Sequence, residues 1–215
     1  MPVCSVIPAT APPFLNACHF LKSAVLLRIL RLMNAARAAP QAIFLDRDGT
    51  LIQNRHYLGS PEGVVVLPGV REALGRVRDA GSRLFLFTNQ SGVGRGYFTL
   101  ADVEAVNRRM IETLGLGDDL FTGICVAPER PDSPSVYRKP SPRFIHEMLM
   151  KHGLAAEAAW MVGDAPSDWE AGINAGIRTA AIVADPSAER ERERRLELGI
   201  ESYASLLDWV TAVFH

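Results

Sequence analysis

The chain of 215 residues is poor in cysteine, in uninterrupted apolar runs and in excess charge. Its 3 cysteines, Cys4, Cys18 and Cys125, form no metal-binding spacing and no disulfide ladder, which suits a reducing compartment and a cytoplasmic protein. The apolar stretch from Phe14 to Leu32 is broken by Lys22 and Arg28, so it makes neither a good spanning helix nor a good signal core. No stable membrane insertion is expected. A formal net charge of −1 and no basic stripe argue against a polyanion-binding surface, and no nucleic-acid partner is expected.

What is present is a hydrophobic content of 48%, enough for one well-buried α/β domain, expected to be monomeric. Residues 1–40 stand apart, with Lys22, Arg28, Arg31 and Arg37 and no acid. They are read as an accessory extension, either helical or upstream of a true start at Met33, ahead of a domain over 41–215; the alternative is a basic amphipathic helix for a membrane surface or mitochondrial import. From Ala42 onward, apolar runs alternate with helical stripes. The stripes are Val70, Ala73, Leu74 and Val77; Val103, Val106, Met110 and Leu114; and Phe144, Ile145, Met148 and Leu149. Strands are expected from Arg83 to Phe87, Ala159 to Val162 and Arg178 to Val183, and this alternation predicts a mostly parallel sheet between helical layers. Glu189 to Arg195 reads as a solvated helix face, and Tyr203, Leu206, Leu207, Val210 and Phe214 as a final amphipathic helix.

Chemistry concentrates where apolar runs end. Ala42-Ile43-Phe44-Leu45 runs into Asp46-Arg47-Asp48-Gly49-Thr50, where acids at i and i+2 share one face. The string alone is also a polar turn. The next run ends in Thr88-Asn89-Gln90-Ser91 and the glycines 92, 94 and 96, whose hydroxyl and free N–H groups suit a phosphate oxygen. Arg138-Lys139-Pro140 precedes Ser141-Pro142, which reads as an N-cap with proline at the first helical position. Lys139 offers a point charge to a phosphoryl group and Arg138 a planar fork. Met161-Val162-Gly163-Asp164 ends in an acid, with Asp168 four residues on, where it also suits a helix N-terminus. Oxygens from Asp46, Asp48 and Asp164 suit Mg²⁺.

Four strand ends carrying nucleophile, hydroxyl, cation and metal ligand in that order resemble the motifs of the haloacid dehalogenase (HAD) superfamily of aspartyl-phosphate hydrolases. Phe44 to Leu51, Thr88 to Gly96 and Arg138 to Pro140 are similar to the branch containing heptose bisphosphate and histidinol-phosphate phosphatases. The resemblance spans about Gln41 to Val183 and implies a HAD-like Rossmannoid three-layer sandwich. It implies Asp46 as nucleophile and metal ligand, and Asp48 as general acid and base with its main-chain carbonyl on the metal. Thr88 and Lys139 would bind the transferring phosphoryl group, Asp164 would complete the Mg²⁺ site, and Asp168 would stand outside it. Asn89, Gln90, Ser91, Arg138, Asn54 and Tyr57 would contact substrate.

A carboxylate is a weak nucleophile, so attack on a phosphate monoester requires the substrate's charge to be reduced by a cation and Lys139. Two departures from the heptose phosphatases stand out. Between Cys125 and Tyr137, one cysteine without a histidine replaces their zinc loop, so no structural zinc is expected and packing is left to order 128–137. Ala165 stands where they often carry lysine. About forty residues separate Asp46 from Thr88, which leaves no room for a large cap domain. The open site this leaves accommodates a bulky or extended phosphorylated small molecule, with D-glycero-D-manno-heptose 1,7-bisphosphate leading and histidinol phosphate as the alternative. A protein of this fold that binds without turnover is the reading from a different class.

Overall fold

The computed structural model describes residues 39–134, 136–183 and 191–214. The extension expected over 1–40 therefore lies outside the described residues, apart from Ala39 and Pro40. Six strands form one sheet: β1 (Ala42–Leu45), β2 (Arg83–Asn89), β3 (Gly123–Ala127), β4 (Ala159–Gly163), β5 (Arg178–Ile182) and β6 (Glu201–Tyr203). Their order is β3-β2-β1-β4-β5-β6, with every neighbouring pair parallel. The short edge strands β3 and β6 are additions to the expected set.

A parallel sheet is buried on both faces, so its central strands read as continuous apolar runs. All four residues of β1 are buried. Their side chains alternate. Ile43 and Leu45 join Leu84, Leu86, Trp160 and Val162 in one core, while Ala42 and Phe44 join Phe85, Phe87 and Met161 in the other. The first core is closed by α1 (Val70–Asp79), by α3 (Leu100–Leu114), which follows the short α2 (Ser91–Gly94), and by α7 (Leu206–Val213), and the second by α4 (Arg143–His152) and α5 (Pro166–Asn174). Phe44 stacks on Phe85 at 4.7 Å between ring centres, and Phe144 of α4 meets Phe44 edge-on at 5.9 Å. The helical stripes face the sheet as their spacing predicts. α3 starts from a capping box between Thr99 and Asp102 and ends at Gly115 in the left-handed region.

Three expectations are corrected. α4 opens at Arg143 with Pro142 as its cap, one residue later than Ser141-Pro142 suggested; the Ser141 hydroxyl donates to the Val136 carbonyl at 2.8 Å while accepting the Arg143 N–H at 3.4 Å. Tyr203 belongs to β6, and the buried set of α7 is Leu206, Trp209 and Val210. The helix α6 (Arg192–Leu198) is not wholly solvated: Arg195 is buried, its guanidinium 5.6 Å from the centre of the Trp169 ring. Among the described residues no helix is long and apolar enough to cross a membrane.

The strand order reverses at β1, whose neighbours β2 and β4 are reached in opposite directions, and ligands of open α/β sheets bind at such points beyond the strands' carboxyl ends. Trp209 is fully buried against Trp160 at 5.5 Å and is central to the α7 layer. Trp209→Ala should lower unfolding free energy by about 3–5 kcal/mol, read as a lower denaturant midpoint.

Candidate active site

Asp46 directly follows β1 and stays in the ladder through its N–H to the Val162 carbonyl at 3.0 Å. The chain then tightens: the N–H groups of Leu51 and Ile52 both bond the Arg47 carbonyl, at 2.9 and 3.0 Å, and the Gly49 N–H bonds Ile52 O at 2.8 Å. Gly49 sits at φ 88°, and a Cβ there would overlap the Asp164 carboxylate. The next residues leave the sheet as a flap, re-entering through an isolated bridge between Ile52 and Val66. Asn54 and Tyr57 ride on it.

The end of β2 supplies connections rather than charge. Thr88 is buried at 1% exposure and does not line the pocket; its hydroxyl oxygen accepts from Gln90 Nε2 at 2.8 Å. The same Gln90 amide donates to Asp48 Oδ2 at 2.8 Å. Asn89 grips the main chain of Lys139, donating to its carbonyl at 3.2 Å and accepting its N–H at 3.0 Å. Lys139 is therefore not at a strand end as expected: β3 stops at Ala127, and the cation arrives on the following loop, held by Asn89.

The ammonium of Lys139 is the centre of the site. Its Nζ donates to Asp46 Oδ1 at 2.5 Å and to the Phe87 carbonyl at 2.7 Å, and pairs with Asp168 Oδ1 at 2.7 Å. Three oxygens thus face a group with three protons. Burial alone would discharge a lysine, but the charges of Asp168 and Asp46 outweigh it and hold Lys139 above the usual lysine range.

At the end of β4, Gly163 leads into Asp164, and α5 begins two residues later. Asp168, in the first turn of α5, accepts the Ala165 N–H at 3.0 Å, so it caps the helix while facing Lys139. Its Oδ2 thus serves the helix N-terminus and its Oδ1 meets the ammonium. Burial, then the neighbouring charges of Asp46 and Asp168, raises Asp164 to about 8, while burial raises Asp168 to about 6 despite Lys139. One oxygen each from Asp46, Asp164 and Asp168 lies within 4.8 Å of the others. Two buried acids and a half-buried third beside one ammonium make an all-oxygen set of a kind that suits Mg²⁺. Asp48 does not contribute its carboxylate to that group. Burial raises its pKa against the opposing effect of Arg47.

These groups surround a pocket of about 230 Å³. Asp46, Asp48, Asn54, Tyr57, Asn89, Gln90, Ser91, Lys139, Asp164 and Asp168 all line it, so most expected site residues converge there. Arg138 does not line it; half-buried, it donates to the Glu129 carbonyl at 3.2 Å. The pocket also takes Arg55, His56, Leu58, Gly92, Ala165 and Ser167. His56 and Tyr57 meet edge-on at 4.3 Å, and Tyr57 meets Tyr97 at 4.7 Å. In the loop beyond β3, Arg130 forks onto Asp132 at 2.9 and 3.1 Å, and the Tyr137 hydroxyl donates to Glu147 at 3.0 Å. Cys125 lies in the second core, its thiol pushed up to about 12 by burial.

Carboxylates converging on one buried ammonium at the carboxyl edge of a parallel sheet define the class first: an α/β protein with an acid-rich pocket at its topological switch point. The sequence model of the HAD-hydrolase-like family matches residues 136–203. A D-glycero-β-D-manno-heptose-1,7-bisphosphate 7-phosphatase of Helicobacter pylori J99 is 31% identical over 172 residues, covering 79% of this chain and 97% of that protein. Its counterpart from H. pylori 26695 is 36% identical over 145 residues, 66% and 83% of the two chains. A crystal structure of D,D-heptose 1,7-bisphosphate phosphatase from B. bronchiseptica, complexed with magnesium and phosphate, superposes with a TM-score of 0.73. It is 26% identical, and the match covers 80% of this chain and 97% of that one. The chain belongs to the haloacid dehalogenase-like hydrolase family.

Gly49 offers a direct test of the acid cluster. Gly49→Ala should fold yet displace the Asp164 carboxylate, weakening Mg²⁺ binding about 10- to 100-fold by calorimetry with an unchanged circular dichroism spectrum.

Proposed function

We propose that the chain is a Mg²⁺-dependent phosphomonoesterase acting through an aspartyl-phosphate, with a sugar phosphate as substrate and D-glycero-D-manno-heptose 1,7-bisphosphate as the leading candidate. The phosphatase names of relatives aligned over nearly their whole length support it, as does the magnesium and phosphate in a structural neighbour. The observation that carries it is the Asp46–Lys139 contact. The ammonium fixes one oxygen of Asp46 while the carboxylate still lines the pocket.

In this reading an Asp46 oxygen attacks phosphorus as the ester P–O bond breaks, and Asp48 gives its proton to the departing oxygen. Asp48 then takes a proton from the water that attacks the aspartyl-phosphate, releasing phosphate and restoring Asp46. Lys139 remains charged throughout and offsets negative charge at phosphorus. Asp46 and Asp164, with the Asp48 main-chain carbonyl, would hold Mg²⁺, and Asp168 would steady Lys139. The bound cation would supply Lewis-acid neutralisation of the phosphoryl oxygens. The Thr88 hydroxyl would act through Gln90 unless substrate draws it into contact. No structural zinc enters this reading, because Cys125 without a neighbouring histidine or second cysteine offers no closed ligand set. Cytoplasmic location and a monomeric state belong to the same proposal.

Phosphate release should be Mg²⁺-dependent, abolished by chelator and strongest for one compound in a panel of heptose bisphosphates, histidinol phosphate, other sugar phosphates and nucleotides. Asp46→Asn should lose about 10³-fold or more in turnover while keeping its fold. No release from any compound by folded wild-type protein would favour binding without turnover, and a preference for histidinol phosphate would move the substrate.

Arg55 is the pocket-lining cation, besides Lys139, among the described residues. We assign it to a second anionic group on the substrate. Arg55→Ala should raise KM for a bisphosphate about tenfold, in line with a charged hydrogen bond, and change KM for the matching monophosphate far less. Equal changes for both would remove that assignment.

A further inference from the structure

Arg47 has no place in the chemistry described so far, although it lies between its two aspartates. Its side chain is completely buried. Nε donates to Asp48 Oδ2 at 3.0 Å, while Nη2 lies 2.9 Å from Oδ2 and 3.3 Å from Oδ1. At the other end Nη1 donates to Asn107 Oδ1 at 2.9 Å, across 60 residues of sequence. Asn107 is 5% exposed, on the inward face of α3 between Val106 and Met110, where the pattern calls for an apolar residue. A buried cation with a buried amide is a poor choice for stability alone, since well-packed apolar side chains of similar volume do as well or better. The polar contacts of this Arg47 side chain lead to Asp48 and Asn107.

We infer that Asn107 and Arg47 are positioning residues that hold the Asp48 carboxyl in its reacting orientation, with α3 as the fixed support. Asp48 Oδ2 receives Arg47 Nε and the Gln90 amide, at 3.0 and 2.8 Å, whereas Oδ1 receives one long contact of 3.3 Å. Oδ1 is therefore the oxygen left to carry the proton. It passes that proton to the ester oxygen as the Asp46–phosphorus bond forms and the ester bond breaks, and regains one from water in the second step. Without Asn107 the guanidinium loses its outer anchor, and Asp48 loses the orientation that the fork imposes. Displacement of a reacting group by about 1 Å costs about 10²-fold in rate. The inference rests on the proposed aspartyl-phosphate chemistry.

The test uses the leaving group. In a two-step reaction of this kind kcat/KM reports the step in which the ester breaks, and a sugar alkoxide needs a proton to depart where p-nitrophenolate does not. Asn107→Leu should lower kcat/KM for the preferred sugar phosphate by about tenfold or more, within the 10²–10⁴-fold range of general acid catalysis, and for p-nitrophenyl phosphate by less than about twofold. Asn107→Asp, which keeps an acceptor for Arg47, should restore most of the loss. Arg47→Lys, which keeps the buried charge without the fork, should show the same split and serves if Asn107→Leu does not fold. Proportional losses on both substrates, no loss on either, or failure of both variants to fold would overturn the inference. A wild-type chain without Mg²⁺-dependent phosphate release would instead remove the proposed function on which it rests.

Discussion

The Lys139 ammonium is the constraint on which the site depends. A buried lysine persists in charged form only where ion pairs and hydrogen bonds replace the water it loses. Here the replacements come from the end of β1 through Asp46, from β2 through the Phe87 carbonyl and from the start of α5 through Asp168. One cation thereby ties the two strands to the helix that follows β4, at the point where the strand order reverses. Asp164, left without such a partner, shows the opposite effect: burial and like charges hold its proton to about 8.

The layers on either side supply the rigidity this requires. Phe44, Phe85 and Phe144 pack beneath the strand ends on one face, while Trp160 and Trp209 anchor α7 on the other. Chain is thus held firmly up to the last strand residue and is released into loops only beyond it. The positions of the carboxylates follow from sheet register more than from loop conformation.

Much of this was legible in the sequence because it depends on local patterns. The run Ala42 to Leu45 followed by Asp46 marks a strand and its end, and Val162-Gly163-Asp164 repeats that pattern. Residue spacing likewise placed Val103, Val106, Met110 and Leu114 on a buried face. What escaped depends on partners distant in sequence. Asn89 holds Lys139 across 50 residues, so a cation beyond a loop takes a place that looked like another strand end. Thr88 was expected to end its strand, but pairing with β3 carries β2 on through Asn89, and Gln90 folds back over Thr88 and leaves it buried. The buried partner of Arg47 is Asn107, 60 residues away, and its one signal in the sequence is an amide within the apolar stripe of α3. Tyr203 fitted a helical spacing, yet β5 offered it a free ladder edge.

The flap divides the pocket into parts of different origin. The reacting groups stand on strand ends and on Lys139, whereas Asn54 to Leu58 belong to an excursion that departs after Ile52 and returns at Val66. Because Ile52 and Val66 pair with each other, the excursion closes on itself, and its length and composition can vary without moving Asp46 or Asp48. Residues that touch the outer part of a ligand are thus covalently and mechanically separable from those placed at its reacting end.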